Sequence, residues 1–232
     1  MNEETYVISA GRPGNVAAMT RLVGRATWLV PAAEVKAYLL AGAPVVLDDG
    51  GGLIAARNRA LDLAFASGRV CIQLSDDLRR LEEALGPKEK RPMAFADAVA
   101  LMRAATRAAG AKLAGIAPVA NAFYFNPARP FHTAAFILGD FMYIHPSTPR
   151  FDPSLRLKED YDFTLQHLRE YRAVARCNAI LGHFAHRTNK GGACAYRTEE
   201  LEQAAIAVLK TKWPGMVKDN PRRPNEILLS LR

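Results

Sequence analysis

The chain has 232 residues, half of them hydrophobic and 23% charged, with a net charge of +8 and a pI near 9.6. A chain of that length and polarity can bury a substantial core, which excludes wholesale disorder. No apolar run is long enough for a membrane-spanning helix, Cys71, Cys177 and Cys194 form no CxxC pair, and no HExxH spacing occurs. The basic balance favours anionic partners such as nucleic acid, nucleotides or phosphates, although basic proteins without such partners are common. The opening "MNEETYVISAGRPGN" lacks the basic flank and apolar core of a signal peptide. With cysteines read as reduced packing residues, the expectation is a soluble cytoplasmic protein.

The first 85 residues alternate strand and helix. "YVISA" (6–10) reads as a buried strand, and "RPGN" leads into a short helix. "ATWLV" (26–30) is a second strand, followed by a helix over 31–42 that starts with Pro31 and stops at Gly42. "APVVLDD" (43–49) is a third strand. A helix over 53–68 shows apolar residues at helical spacing and ends at Gly68. "VCIQLSDD" (70–77) is a fourth strand, and 78–85 continue as a helix for which Ser75 or Asp76 makes a good N-cap. Strand–helix repetition at this spacing implies βαβ units and a parallel sheet covered on both faces.

"GPKEKRP" (86–92) is a charged, Pro-bearing break, a loop or a seam between lobes. A helix follows over 93–110. Residues 113–119, 122–126 and 132–145 read as strands, the last bent at Gly139. Residues 159–172 form a helix, 173–186 a strand running into a loop, and 197–213 a helix with a capping-box start at Thr198. The tail is basic and Pro-rich.

Ligands of open α/β sheets bind at the carboxyl ends of the strands. That rule selects "GRPGN" (11–15), the start of the Pro31 helix, "DDGGG" (48–52) and "SDD" (75–77). The glycines at 50–52 let a backbone approach phosphate, with Arg57 and Asn58 one turn further on, yet the pattern is neither a Walker A loop nor the dinucleotide fingerprint. Asp76 and Asp77 offer hard oxygens suited to Mg²⁺ or Mn²⁺ beside a nucleotide diphosphate. In the second half, "LKEDYDF" sets Glu159, Asp160 and Asp162 at a helix start, either as acids welcomed by the helix dipole or as a general base. "GHFAHRTNKGG" gathers His183, His186, Arg187 and Lys190 in one loop.

The ordered set "VISAGRPGN", "VLDDGGGLIAARNRAL", "CIQLSDDL", "LKEDYDF" and "GHFAHRTNKGG" resembles a GT-A glycosyltransferase, and more narrowly the TET-associated glycosyltransferases, largely phage-encoded, that act on 5-hydroxymethylcytosine in DNA. The resemblance covers nearly the whole chain. It implies an α/β fold with a Rossmann-type mixed sheet flanked by helices, one domain over 1–232 with a nucleotide-sugar half (1–85) and an acceptor half (93–232). It implies a nucleotide-sugar donor, a UDP-sugar, with Mn²⁺ or Mg²⁺, DNA as partner and host cytoplasm as location. Arg12, Asn15, Asp49 (or Asp48), Arg57, Asp76 and Lys190 would meet the donor, with Arg57 on the diphosphate. Asp77 with His186 or His183 would hold the metal. Asp160 or Glu159 would be the base of an inverting reaction; a retaining one needs no such base. Ser75 departs from a strict DxD, which puts metal stoichiometry in doubt.

DNA would be held through phosphate contacts by the 86–92 loop, Arg187, Lys190 and the tail "KDNPRRP", with the target base flipped out. "AFYFN" offers a stacking aromatic, against core packing as the commoner fate of Phe123, Tyr124 and Phe125. Other acceptors, a nucleotidyltransferase, and a silent DNA-binding module are the competing readings. The silent module has no use for Asp76, Asp77, Asp160 and the His loop together.

Overall fold

The structure, a computed structural model, describes residues 2–185 and 197–231. The first half alternates as expected: β1 (Glu3–Ile8), α1 (Val16–Val23), β2 (Thr27–Val30), α2 (Val35–Leu40), β3 (Val45–Asp48), α3 (Leu53–Ala66) and β4 (Val70–Ser75). These four strands pair in parallel in the order β3-β2-β1-β4. Alternate residues enter opposite cores: Val7, Trp28 and Ile72 one, Tyr6, Leu29 and Cys71 the other. Gly50, Gly51 and Gly52 take φ of 75°, 117° and 98°, a left-handed run that side chains other than glycine rarely adopt.

From Asp76 onward the chain departs from a simple βαβ repeat. The helix expected at 78–85 is a strand, β5 (Leu78–Gly86), and the break at 86–92 is its hairpin partner β6 (Glu89–Pro92). Leu78, Leu81 and Ala84 are the buried residues of β5. Their spacing of three, in a segment of helix-forming Leu, Glu and Ala, mimics a helical face. Pairing with two neighbouring strands overrides that local preference, and a register irregularity in each pairing breaks the usual alternation. Ser75 and Asp76 therefore cap no helix.

α4 (Phe95–Ala109) and β7 (Leu113–Ile116) follow. Residues 122–126 are not a strand but a short 3₁₀ turn, and Phe123 and Tyr124 are 67% and 69% exposed, which corrects the core-packing expectation for both; Phe125 is buried. The strand expected over 132–145 splits into β8 (Phe131–His132) and β9 (Phe141–Ile144), with irregular chain between them. After α5 (Glu159–Tyr171), residues 173–186 give two strands, β10 (Ala175–Cys177) and β11 (Ile180–Phe184). α6 (Glu199–Lys212) begins with Thr198 accepting from Leu201 N–H, and β12 (Val217–Asp219) and β13 (Ile227–Leu229) close the chain.

The main sheet is mixed, in the order β3-β2-β1-β4-β9-β7-β10-β8, because β9 runs antiparallel to both β4 and β7. Strands from both halves thus share one sheet. α1, α2 and α4 cover one face, and α3 and α5 the other. β11, β5 and β6 form a small second sheet. No helix among the described residues is long and apolar enough to cross a membrane.

α6 and the terminal hairpin are fastened to α5 by Asp162, which is fully buried. It accepts from Trp213 Nε1 (2.7 Å), Gln166 Nε2 (2.7 Å) and Lys212 Nζ (2.9 Å). This acid of the "EDYD" group is structural. Asp162→Ala strands three donors, and chemical denaturation is expected to show a loss of about 3 kcal/mol.

Candidate functional site

The parallel register sets Ile8 beside Ser75, so β1 and β4 end side by side. Beyond them lie Ser9 to Arg12 and the tight turn Asp76–Asp77. Asp76 is 1% exposed and joins these ends: it accepts a short hydrogen bond from Ser9 Oγ and one of 2.8 Å from Arg12 Nη1. Ser9 Oγ in turn meets Tyr38 Oη at 2.5 Å, and Tyr38 Oη accepts from Arg12 N–H at 3.0 Å. Burial raises the pKa of Asp76, against the opposing pull of Ser9 and Arg12. Asp76 was expected to face the ribose or sugar; both of its oxygens instead hold the loop that carries Arg12. Asn15 starts α1 and accepts from Arg79 at 3.4 Å.

Asp77 is also 1% exposed. Its Oδ1 accepts from Ser75 Oγ at 2.9 Å, and its carbonyl accepts from Ala185 N–H at 3.1 Å. That backbone bond brings the end of β11 to the β4 turn. The His183 ring is engaged on the small sheet. Its Nε2 lies 2.6 Å from Glu82 Oε2, and Glu82 also takes Lys90, which is the larger cause of its pKa falling to about 2. His183, expected from sequence as a metal ligand, is hydrogen-bonded on the small sheet to Glu82 in this structure. Among the described residues, no three His, Cys, Asp or Glu side chains gather as a metal site. His186, Arg187 and Lys190 lie outside the described residues.

Asp48 and Asp49 separate cleanly. Asp48 accepts from Arg59 at 2.7 Å and from Gly50 N–H at 2.8 Å, which lower its pKa, Arg59 the more. Asp49 is buried and accepts from Gly51 N–H at 2.8 Å. Both shape the glycine loop at the β3 end.

Arg57, assigned to the diphosphate from sequence, is 8% exposed and committed to protein acceptors. Nε donates to Glu159 Oε1 at 3.1 Å, Nη1 to Gln73 Oε1 at 3.3 Å, and both Nη atoms to the Gly139 carbonyl at 3.1 Å. Its guanidinium also lies 5.2 Å from the Phe151 ring centre. This correction follows from burial: a guanidinium removed from water must find acceptors inside. Glu159, one of two candidates for the base, is 7% exposed and is the carboxylate that Arg57 takes.

The other candidate is differently held. The irregular segment between β8 and β9 is bound to α5 residue by residue: Phe136 stacks on Tyr161 at 4.0 Å, Ile137 N–H donates to Thr164, and Gly139 N–H donates to Asp160 Oδ2, the last two at 3.1 Å. The next carbonyl, that of Asp140, accepts from Ser75 N–H at 2.9 Å. Asp160 is thus one residue of chain away from the β4 turn. Burial, then the Glu159 charge, raises its pKa to about 7, against the pull of Arg57. Lys158, just before this pair, takes φ 61°, and its Nζ pairs with Glu202 and donates to the Asn225 carbonyl.

Asp140 and Gly139 were not identified as site residues from sequence, beyond a bend at Gly139. Asp140 lines a cavity of about 230 Å³ with Leu138, His183 and Phe184. An added Cβ at 139 would lie 2.5 Å from Arg57 Nη2, so any larger residue there has to displace that guanidinium.

No family model matches the chain, and no curated protein matches it. Among solved structures it is similar to S. aureus TarS, residues 1–349, with a TM-score of 0.51 and 11% identity over 92% of this chain and 73% of that one. The likeness is one of fold: a single mixed α/β domain built on a large mixed sheet flanked by helices.

Two outcomes follow from this geometry. Gly139→Ala pushes a pinned guanidinium out of its acceptors and is expected to cost about 2 kcal/mol in denaturant melts. Asp160 binds its proton more tightly folded than unfolded, so folding stability falls as pH rises from about 4, the unfolded value, to about 7. Asp160→Asn removes that term. The difference in Tm between pH 5 and pH 8 is expected to narrow in this variant, and an unchanged difference would refute the assignment.

Proposed function

We propose that the protein is a glycosyltransferase that moves a sugar from a UDP-sugar to the hydroxyl of 5-hydroxymethylcytosine in DNA. The observation that carries this reading is Asp160, a carboxylate with a pKa raised to about 7, tethered through Gly139 and Asp140 to the β4 turn of a GT-A-like fold. A base is most useful when its pKa lies near the working pH. Glu159, neutralised by Arg57, is the poorer base.

In the reaction, the nucleotide lies over the carboxyl ends of β1 and β4, with its diphosphate at the Asp77 turn. Asp160 takes the proton of the acceptor hydroxyl. The freed oxygen bonds to the anomeric carbon from the face opposite the diphosphate, and the carbon–oxygen bond to UDP breaks with inversion. Asp77 would offer a hard oxygen to Mg²⁺ or Mn²⁺, and such an ion would supply charge neutralisation for the departing diphosphate. Asp76 acts indirectly, by fixing Arg12.

DNA as acceptor is supported by the net charge and by the exposed Phe123 and Tyr124. These belong to the 3₁₀ turn that follows Ala117, Pro118 and Ala120, residues of the cavity shared with Asp140 and His183. Two outward-facing aromatics offer a flipped base a stacking surface. The 86–92 hairpin contributes less than its sequence suggests, because Lys90 and Arg91 pair with Glu82 and Glu83.

The direct assay incubates the protein with a panel of nucleotide-sugars, Mn²⁺ or Mg²⁺, and DNA with or without hydroxymethylcytosine, followed by digestion and nucleoside mass analysis. A hexose adduct on the modified nucleoside alone is expected, reduced at least 100-fold in Asp160→Asn. Adducts on no DNA, with slow hydrolysis of the donor, would transfer the reading to another acceptor.

A further inference from the structure

The main sheet ends at β8, where the charges are of one sign. His132 on β8 lies directly opposite Arg176 on β10, and Arg129 stands within electrostatic reach of the same ring. Arg176 is partly buried. Its Nε donates to Asn178 Oδ1 at 3.0 Å, and among the described residues the guanidinium has no other hydrogen bond and no carboxylate partner. Burial works against the charge of Arg176, and burial and then the two arginines work against that of His132. Two arginines without a carboxylate partner among the described residues favour an anion, and the neutral His132 ring beside them adds a hydrogen-bonding N–H rather than a charge.

A groove of about 360 Å³ adjoins them, lined by Arg176, Ala134, Phe136, Tyr161 and the apolar residues of β13. It connects to the candidate site through the chain itself. Tyr161 follows Asp160, and the segment that lines the groove at Phe136 lines the Asp140 cavity four residues later, a span of at most roughly 14 Å.

We propose that Arg176, with His132 and Arg129, binds a backbone phosphate of the acceptor strand, while the Phe136–Tyr161 wall receives the adjoining sugar and base. The open Nη edge of Arg176 suits the paired oxygens of a phosphodiester. The groove is far larger than a lone phosphate ion, and its aromatic and apolar walls suit the rest of a nucleotide. Phosphate contacts set the register of a strand without reading its sequence, and here they would hold the target hydroxyl over Asp160. This inference rests on the DNA-acceptor reading above.

The test is a binding measurement without turnover, so that it can fail separately from the transfer assay. The ring signals of His132, assigned with His132→Gln, are followed by NMR during titration with a short single-stranded oligodeoxynucleotide and, separately, with inorganic phosphate. Saturable shifts with the oligonucleotide are expected, with a midpoint about tenfold higher in Arg176→Ala and intermediate in Arg176→Lys. Inorganic phosphate is expected to act only at far higher concentration. An unmoved His132 signal overturns the proposal even if sugar transfer to DNA is found. Equal response to phosphate ion and oligonucleotide overturns the assignment to a strand. A persistent His132 response in a protein that transfers no sugar supports the subsite and counts against the catalytic reading alone.

Discussion

A guanidinium taken out of water needs acceptors on every side, and Arg57 finds them on three separate pieces of chain. It reaches Gln73 in the middle of β4, the Gly139 carbonyl in the irregular segment before β9, and Glu159 at the start of α5. Gln73 answers by donating back to the Arg57 carbonyl at 2.8 Å. The neighbouring Asn58 fixes a fourth piece, exchanging two hydrogen bonds with the Phe151 backbone. Releasing any one of these acceptors leaves a buried charge short of partners, so the pieces are held in one arrangement.

That arrangement sorts the acids. Four carboxylates that look alike in sequence receive different tasks. Asp76 ties Arg12 and Ser9 together, Asp162 clamps the C-terminal elements, and Glu159 offsets Arg57. Asp160 is left beside a negative neighbour in a buried setting, and its proton is held to about pH 7. The buried cation thus acts on the chemistry indirectly: by claiming Glu159 it leaves Asp160 as the carboxylate that changes charge near neutrality.

Much of this was legible in sequence where local pattern and tertiary role agree. The β1–β4 repeat, the α3 and α5 helices and the strand-end position of Asp76 and Asp77 follow from apolar periodicity and glycine punctuation. The misreadings occur where long-range pairing decides. The 78–85 segment has helical composition and a three-residue burial spacing, yet it is a strand because β6 and β11 flank it. Phe123 and Tyr124 read as core residues by type, but a 3₁₀ turn places them outside. Arg57 and His183 were recognisable as chemically interesting, but their partners, Glu159 and Glu82, lie 102 and 101 residues away in the chain. No local pattern shows such a long-range partner, and so none distinguishes a ligand-binding side chain from a structural one.

The Asp160 carboxyl group is the part of the site on which the proposed transfer most depends. Carbon-detected NMR of the aspartate side chains, with Asp160 assigned through Asp160→Asn, follows its titration directly in the folded protein. A midpoint near 7, well above the other resolved aspartates, is the result the structure predicts. A midpoint at the ordinary aspartate value, about 4, would contradict the placement of Asp160 against Gly139 and Glu159, and with it the base assigned to the transfer.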